Sequence, residues 1–322
     1  MRFSKEWILR EFTDNAPVNE EELVSAMGAL GHQVQLHADY WEINSPAHRP
    51  DCRSVAGVAR EICAALGIPF RYEALTVEGC EDISIFDMLD VDVWDDRLCN
   101  RLTCRMVCNL SNSPPPHWLQ QRLTDCGITP VGGIEDIAKY VELELGQPLL
   151  LLDQRCCSGS LTLRAPFPGE CEEDIPVLAG DFQPIVMGNS IYDEEARVKL
   201  DTDTVILCAI HDSCHWVDSI TTYTAVQRMC QLIQQLQMGT VADGTIDILN
   251  FIPFEVKISG SIQQLNQDLN AAFTETELTS LLQPTGITLV KDEFLIPPHR
   301  TDLTLWEHIL KEISRIQSAR RK

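Results

Sequence analysis

Hydrophobic and polar positions are most tightly patterned between Gly127 and Asp153. Ile134, Ile137, Ala138, Val141 and Leu145 recur at helical spacing, which gives this segment one apolar face. Gly146 can take the left-handed conformation that ends a helix, and Pro148 cannot continue one. Leu149 to Leu152 then run apolar without a break, as in a strand buried on both sides.

The same reading extends to both sides. Asn19 predicts an N-cap with Glu22 completing a capping box, followed by an apolar stripe of Leu23, Ala26, Met27 and Leu30. Tyr40 to Ile43 predicts a short strand. Asp51 is expected to cap a helix whose buried face is Val55, Val58, Ala59, Ile62 and Leu66, with Gly67 and Pro69 as its stop. Ser113 and the prolines 114–116 start a helix that carries Trp118, Leu119 and Leu123 and is closed by Gly127. Leu161 to Arg164 and Val205 to Ile210 read as strands, and Thr221 to Met238 as a helix closed by Gly239. Asp193 to Asp203 is acidic and reads as a solvated surface segment.

Towards the C-terminus, Thr274 and Glu277 predict a second capping box, with Leu278, Leu281 and Leu282 inward. Ile287 to Val290 and Glu293 to Ile296 predict a hairpin about Lys291-Asp292. Leu303, Leu305, Ile309, Leu310 and Ile313 make the last helix amphipathic. Strands mix with helices in no simple βαβ rhythm. The expected fold is multidomain α+β, with mixed sheets, packed helices and a C-terminal helix–hairpin–helix (winged-helix-like) module. Its modules are expected at 1–75, 80–248 and 250–322.

Length and composition fit that architecture, because 322 residues with 44% hydrophobic content supply sizeable cores. No apolar run approaches the roughly 18 residues that span a bilayer. The N-terminal Met-Arg-Phe-Ser-Lys-Glu-Trp has no hydrophobic signal core, so a cytoplasmic protein without membrane contact is expected. The 13 cysteines are odd in number and contain no Cys-x-x-Cys pair, which argues for buried reduced thiols such as Cys63, Cys104 and Cys108. A formal net charge of −23 opposes non-specific binding to polyanions. DNA is not an expected partner, and any tRNA contact would need a local basic patch. Arg315, Arg320, Arg321 and Lys322 form the densest one, read here as a solubilising helix end.

Three ordered strings resemble the beta chain of bacterial phenylalanyl-tRNA synthetase. His48-Arg49-Pro50-Asp51-Cys52-Arg53-Ser54-Val55, continued by Gly57-Val58-Ala59-Arg60-Glu61, resembles the family's Asn-Arg-Pro-Asp-Cys-Leu-Ser-Val. Gly127-Ile128-Thr129-Pro130 and Glu144-Leu145-Gly146-Gln147-Pro148 resemble its Gly-Ile-x-Pro opening and Glu-Leu-Gly-Gln-Pro exit. Pro297 to Leu303 resembles its Pro-Ser-x-Arg-x-Asp-Ile signature. The resemblance implies an N-terminal module, an editing-type module and a winged-helix-like module. The family's inserted OB-fold and its catalytic-like and anticodon-binding domains have no counterpart in this sequence.

In that family the middle module hydrolyses tyrosine mistakenly loaded onto the phenylalanine tRNA. The family uses a Thr-Asn pair, a His, a turn glycine and a Glu. The matching positions here hold Ala138 and Lys139, Leu150, Gly188 and Cys208. Only the glycine is retained. Leucine and alanine can move no proton, and a buried neutral thiol replaces a carboxylate poorly.

The resemblance also implies a Mg²⁺ site in the last module, for which Asp302 and Glu312 match while His308 and Lys311 stand at the other ligand positions. In the bland reading Asp302 caps the final helix. The cluster His211-Asp212-Ser213-Cys214-His215 matches no common zinc spacing and reads as a strand end and turn.

The sequence therefore points to a non-catalytic paralogue that keeps the editing-pocket architecture. Such a protein binds an amino acid, an aminoacyl-tRNA end, RNA or a protein partner, and requires no cofactor. A free-standing hydrolase of mischarged tRNA is the alternative, and a subunit of a phenylalanine-tRNA ligase complex the third reading.

Overall fold

The Gly127–Asp153 pattern folds as its periodicity dictates. The helix Ile134–Leu145 ends at Gly146, whose φ is 86°, and the strand Leu150–Asp153 follows. The turn before the helix needs its two glycines. Gly132 and Gly133 have φ of 95° and 72°, and a Cβ on Gly133 would lie 2.0 Å from Asn112 Oδ1. That oxygen is engaged, because it accepts from the Ile134 amide at 2.8 Å. Asp136 secures the turn by accepting from the amides of Val131 and Gly132 at 2.8 and 3.0 Å.

The computed structural model describes residues 1–170, 175–181, 183–188, 190–191, 193–211, 218–251 and 255–321. They form two units. One comprises Met1–Ala74, Arg122–Ile128 and Pro253–Lys322, and the other Leu75–Gln121 and Thr129–Ile252. The segments expected as separate modules at 1–75 and 250–322 thus belong to one unit. Ala64 shows why, since it packs in the same apolar cluster as Leu278, Ile313 and Ile316.

In the first unit, Arg2–Ser4, Tyr40–Asn44 and Gln33–Leu36 make an antiparallel sheet in that order. Only residues 37–39 separate Gln33–Leu36 from Tyr40–Asn44, so no barrel is inserted there. Helices Glu20–Ala29 and Val55–Leu66 complete this half. Asn19 caps the first of them by accepting from the Glu21 and Glu22 amides.

The expected cap of the second is corrected: Ser54, not Asp51, accepts from the Gly57 amide at 3.1 Å. Residues Pro50–Arg53 form a 3-10 turn, and the Asp51 carboxylate is taken by Arg49. Gly57 fits tightly over that turn, because a Cβ there would lie 1.9 Å from the Asp51 carbonyl oxygen.

The C-terminal half of this unit has a three-stranded sheet in the order Val256–Ser259, Glu293–Ile296, Thr288–Val290. Helices Ile262–Leu269, Glu275–Leu282 and Trp306–Arg320 surround it. Thr274 and Glu277 form the expected capping box. Lys291 and Asp292 make the hairpin turn with φ of 49° and 60°, both left-handed. The last helix starts later than its apolar positions imply. Leu305 stands at its N-cap and is exposed, and Asp302 bonds Arg300 instead of capping. The strand Val256–Ser259 is too short to establish a period, whereas the helix Ile262–Leu269, not predicted above, does carry a signal, Ile262, Leu265 and Leu269 at helical spacing behind the Ser261 cap.

The second unit is two sheets and a helix layer. The six-stranded sheet runs Cys80–Ser84, Thr240–Asp243, Arg101–Cys108, Val205–His211, Leu150–Asp153, with Ile246–Leu249 also paired to Arg101–Cys108. The five-stranded sheet runs Ser190–Ile191, Gln183–Met187, Val177–Gly180, Ser160–Arg164, Asp90–Val93. Both sheets are mixed: Cys80–Ser84 pairs parallel with Thr240–Asp243, and Asp90–Val93 with Ser160–Arg164. Strand alternation turns Leu102, Cys104, Met106, Ile206, Cys208 and Ile210 into a core shared with Leu161, Leu163 and Leu178 of the other sheet. Helices Ile134–Leu145 and Ser219–Gln235 pack together, with Glu144 and Arg228 paired at 2.8 Å between them. Among the described residues no helix is long and apolar enough to cross a membrane.

Candidate functional site

Two of the sequence-derived pocket residues meet directly. Val205–His211 lies between Arg101–Cys108 and Leu150–Asp153, and the register sets Cys208 opposite both Cys104 and Leu150. All three side chains fall in the inter-sheet core; Cys208 is 0% and Leu150 6% exposed. Antiparallel register therefore sets positions 150 and 208 side by side in this chain. Here the pair is a leucine and a thiol. The Cys104 thiol, hydrogen-bonded to the Cys208 thiol and stripped of water, is held well above the usual thiol range. Aliphatic chains and neutral sulfur offer no general base and no charge for a developing oxyanion.

Ala138 and Lys139 sit on the helix Ile134–Leu145, which packs against the edge strand Leu150–Asp153. Ala138 is buried and contributes only a methyl group. Lys139 is partly exposed and pairs with Glu142 at 2.8 Å, one turn along its own helix. Gly188 follows the strand Gln183–Met187 in the second sheet, with φ of 59°. Its amide donates to the Pro176 carbonyl at 2.8 Å, so its role in the fold is to turn the chain. The site residues thus fall into two groups, with Leu150 and Cys208 in the inter-sheet core and Lys139 at the surface.

The Glu-Leu-Gly-Gln-Pro string also has a structural explanation. Glu144 holds Arg228 between the two helices, both nearly fully buried. Gln147 is 1% exposed; its Oε1 accepts from Thr222 at 2.9 Å and its Nε2 donates to the Ile210 carbonyl at 3.3 Å. These residues fix the helix pair to the end of the Val205–His211 strand. Within the motif cluster after that strand, His211 is buried beside Asn100, whose Nδ2 lies 3.2 Å from His211 Nδ1. Asp212 to His215 lie outside the described residues.

In the first unit the Mg²⁺ candidates are occupied by arginine. Arg300 donates from Nε and Nη2 to the two oxygens of Asp302 at 2.8 and 2.9 Å. Its Nη1 reaches Glu312 Oε1 at 2.5 Å. Arg315 takes both Glu312 oxygens, at 2.8 and 2.9 Å. Every oxygen of the two carboxylates therefore carries a guanidinium partner. A hard dication needs those lone pairs and is repelled by the charges that hold them, so this donor set does not fit Mg²⁺.

Two of the basic C-terminal residues, Arg315 and Arg320, are likewise held in the fold. Arg315 also bonds Glu61, and Arg320 donates to the Ala64 carbonyl at 2.9 Å. The trace of this network in the sequence is Glu61 itself, a carboxylate on a helix whose every residue from Val55 to Ala65, Arg60 apart, is buried.

Comparison with known proteins agrees with this architecture. The B3/4 domain family matches residues 98–238. The chain is 28% identical over 312 residues to the phenylalanine–tRNA ligase beta subunit of Clostridium tetani, covering 85% of this chain and 39% of that protein. It is 25% identical over 344 residues to the beta subunit of Geobacillus kaustophilus, covering 95% and 41%. The chain thus spans about two fifths of the length of these curated relatives. An N-terminal fragment of the phenylalanyl-tRNA synthetase beta subunit from Pyrococcus horikoshii superposes with a TM-score of 0.54 at 15% identity, over 99% of both chains. That likeness is one of fold. The chain is thus similar in sequence to phenylalanine–tRNA ligase beta subunits over most of its length, matches the B3/4 domain over residues 98–238, and shares the fold of the Pyrococcus horikoshii fragment.

Proposed function

We propose that this protein is a non-catalytic relative of the phenylalanine–tRNA ligase beta subunits, in which the B3/4 fold serves as a binding module in the cytoplasm. Its ligand is an amino acid or the aminoacyl end of a tRNA, and no metal takes part. The observation that carries the reading is the pairing of Cys208 with Leu150 inside an apolar core. Hydrolysis of an ester needs an activated water and stabilisation of the oxyanion, and neither side chain supplies them. Lys139, the one charged residue at the matched positions, is held by Glu142.

The test is a paired binding and turnover experiment on the full chain. A non-hydrolysable 3′-tyrosyl-adenosine analogue, free tyrosine and free phenylalanine are titrated by calorimetry, and Tyr-tRNA is followed for loss of its amino acid. Saturable binding of at least one probe without accelerated deacylation supports the reading. Accelerated deacylation replaces it with that of a free-standing editing hydrolase, and no binding of any probe rules out the ligand class named here.

A further inference from the structure

Cys156 and Cys157 are neighbours in the turn between the strands Leu150–Asp153 and Ser160–Arg164. Cys156 ends the 3-10 turn Gln154–Cys156 and is half-buried, whereas Cys157 is 3% exposed and belongs to the inter-sheet core. Their sulfurs are within hydrogen-bond reach, the Cys156 thiol donating to Cys157 Sγ. The amides of Gly159 and Ser160 donate to the same sulfur, which as a thiol itself donates to the Gln154 carbonyl at 3.6 Å. Three donors thus converge on Cys157 Sγ and favour its anionic form. The Cys156 bond and the two amides hold the Cys157 thiol below the usual range, although burial raises it. The same bond, with burial, raises Cys156. Other buried thiols show the opposite balance, with burial pushing Cys126 up to about 11 and Cys63 and Cys230 to about 12.

We propose that Cys156 and Cys157 form a redox-sensitive dithiol, which a small hydroperoxide closes to a vicinal disulfide. The Cys157 thiolate attacks one peroxide oxygen, the O–O bond breaks, and the other oxygen leaves as an alcohol, or as water, after taking a proton. Cys157 is then a sulfenic acid. The Cys156 sulfur displaces its hydroxyl, which leaves as water with the Cys156 proton. Two thiols and one hydroperoxide thus become one disulfide, one alcohol and one water, and two electrons pass from the sulfurs to the peroxide. A reagent little larger than water suits a sulfur with so little open surface, and the more exposed Cys156 stands beside it to close the ring. Adjacent Cα atoms lie about 3.8 Å apart, below the roughly 4.4–6.8 Å of most disulfides. The ring is therefore strained and easily reduced, as a reversible switch requires and a structural bridge does not.

The experiment treats the reduced full chain with hydrogen peroxide, blocks remaining thiols with N-ethylmaleimide in denaturant, and reads tryptic peptides by mass spectrometry. Both cysteines fall in one peptide, residues 156–164, between Arg155 and Ala165. Ring closure therefore appears as the loss of two hydrogens with no maleimide added. Half-buried Cys80 is the internal reference. The expected result is closure about tenfold or more faster than Cys80 is oxidised, with full reopening by dithiothreitol. In Cys156→Ser the ring cannot close, and dimedone should trap Cys157 as its sulfenic acid. Circular dichroism checks the fold of the serine variants, and the wild-type measurement decides without them. The proposal fails if peptide 156–164 remains a dithiol while Cys80 is oxidised, or if it closes no faster than Cys80 reacts. Dimedone labelling of Cys156 in Cys157→Ser, with none of Cys157 in Cys156→Ser, would overturn the assignment of Cys157 as the attacking sulfur.

Discussion

Arg315 Nη1 donates to Glu61 Oε2 at 2.7 Å, joining the last helix to the helix Val55–Leu66 across 254 residues of chain. Glu61 is 1% exposed and is shared with Arg49 at 2.7 Å and with His32 at 3.1 Å. The carboxylate thus ties its own helix to three other segments of the first unit. A buried ion network of this kind adds little over a well-packed apolar core, but removing one member leaves its partners buried and unpaired.

Glu61→Gln therefore destabilises the protein by about 3–5 kcal/mol, the usual effect of breaking a buried pair. Urea denaturation of the variant, followed by a signal from the first unit, measures this directly. A loss below about 1 kcal/mol would place Glu61 among weak surface-type pairs.

Acid should dissolve the same network. Burial pushes the Glu61 and Glu312 carboxyls up, but the charges of Arg49 and Arg315 on the first, and of Arg300 and Arg315 on the second, outweigh it and leave both below the usual range. In the second unit burial raises Asp153, yet the bonds from Arg155 and Thr202 bring it down to about 2. With folded values depressed, the unfolded chain binds more protons in the window below its own carboxyl pKa values. Stability from these groups is present above the unfolded carboxyl range and is lost as pH falls through it, for Asp153 towards about 2. Thermal midpoints measured from pH 6 to pH 2.5 should fall steeply only below about 4.5. Midpoints that were flat, or that rose on acidification, would contradict this account of the ion pairs.

Thiol reactivity tests whether the inter-sheet core is closed. Burial pushes the Cys63 and Cys230 thiols up to about 12, and Cys208 has no exposed surface. Half-buried Cys80 lies at the sheet edge. Iodoacetamide at pH 8 should label Cys80 in the native protein while Cys63, Cys104, Cys208 and Cys230 react only after denaturation. Mass spectrometry of digests reads the order. Native labelling of Cys208 at the rate of Cys80 would mean that it is displayed to solvent and not packed.

What the sequence discloses depends on the range of the interaction. The helix Ile134–Leu145, its glycine stop, the Thr274–Glu277 capping box and the Lys291-Asp292 hairpin all rest on contacts within a few residues, and pattern finds them. Ser54 and Asp51 are both cap residue types, and only the side chain of Arg49, which takes the Asp51 carboxylate, leaves the cap to Ser54. Arg315 read as a solubilising end because its partner lies at the other end of the chain. Periodicity reports which face is buried and not which charge waits there.

The candidate site divides in the same way. The adjacency of positions 150 and 208 follows from strand register, which a single sequence expresses only through resemblance to a family. The resemblance singles out both residues as pocket positions, and their chemistry can then be judged from residue type alone. The oxygen-by-oxygen occupation of Asp302 and Glu312 by arginine could not, since it depends on the fold of the whole unit.

Deacylation of Tyr-tRNA by the purified full chain tests the central claim most directly. With Leu150 and Cys208 packed in an apolar core, the rate should equal spontaneous hydrolysis and stay unchanged in Cys208→Ser and Lys139→Ala. A rate well above background that falls in either variant would contradict the account and establish a working hydrolytic site.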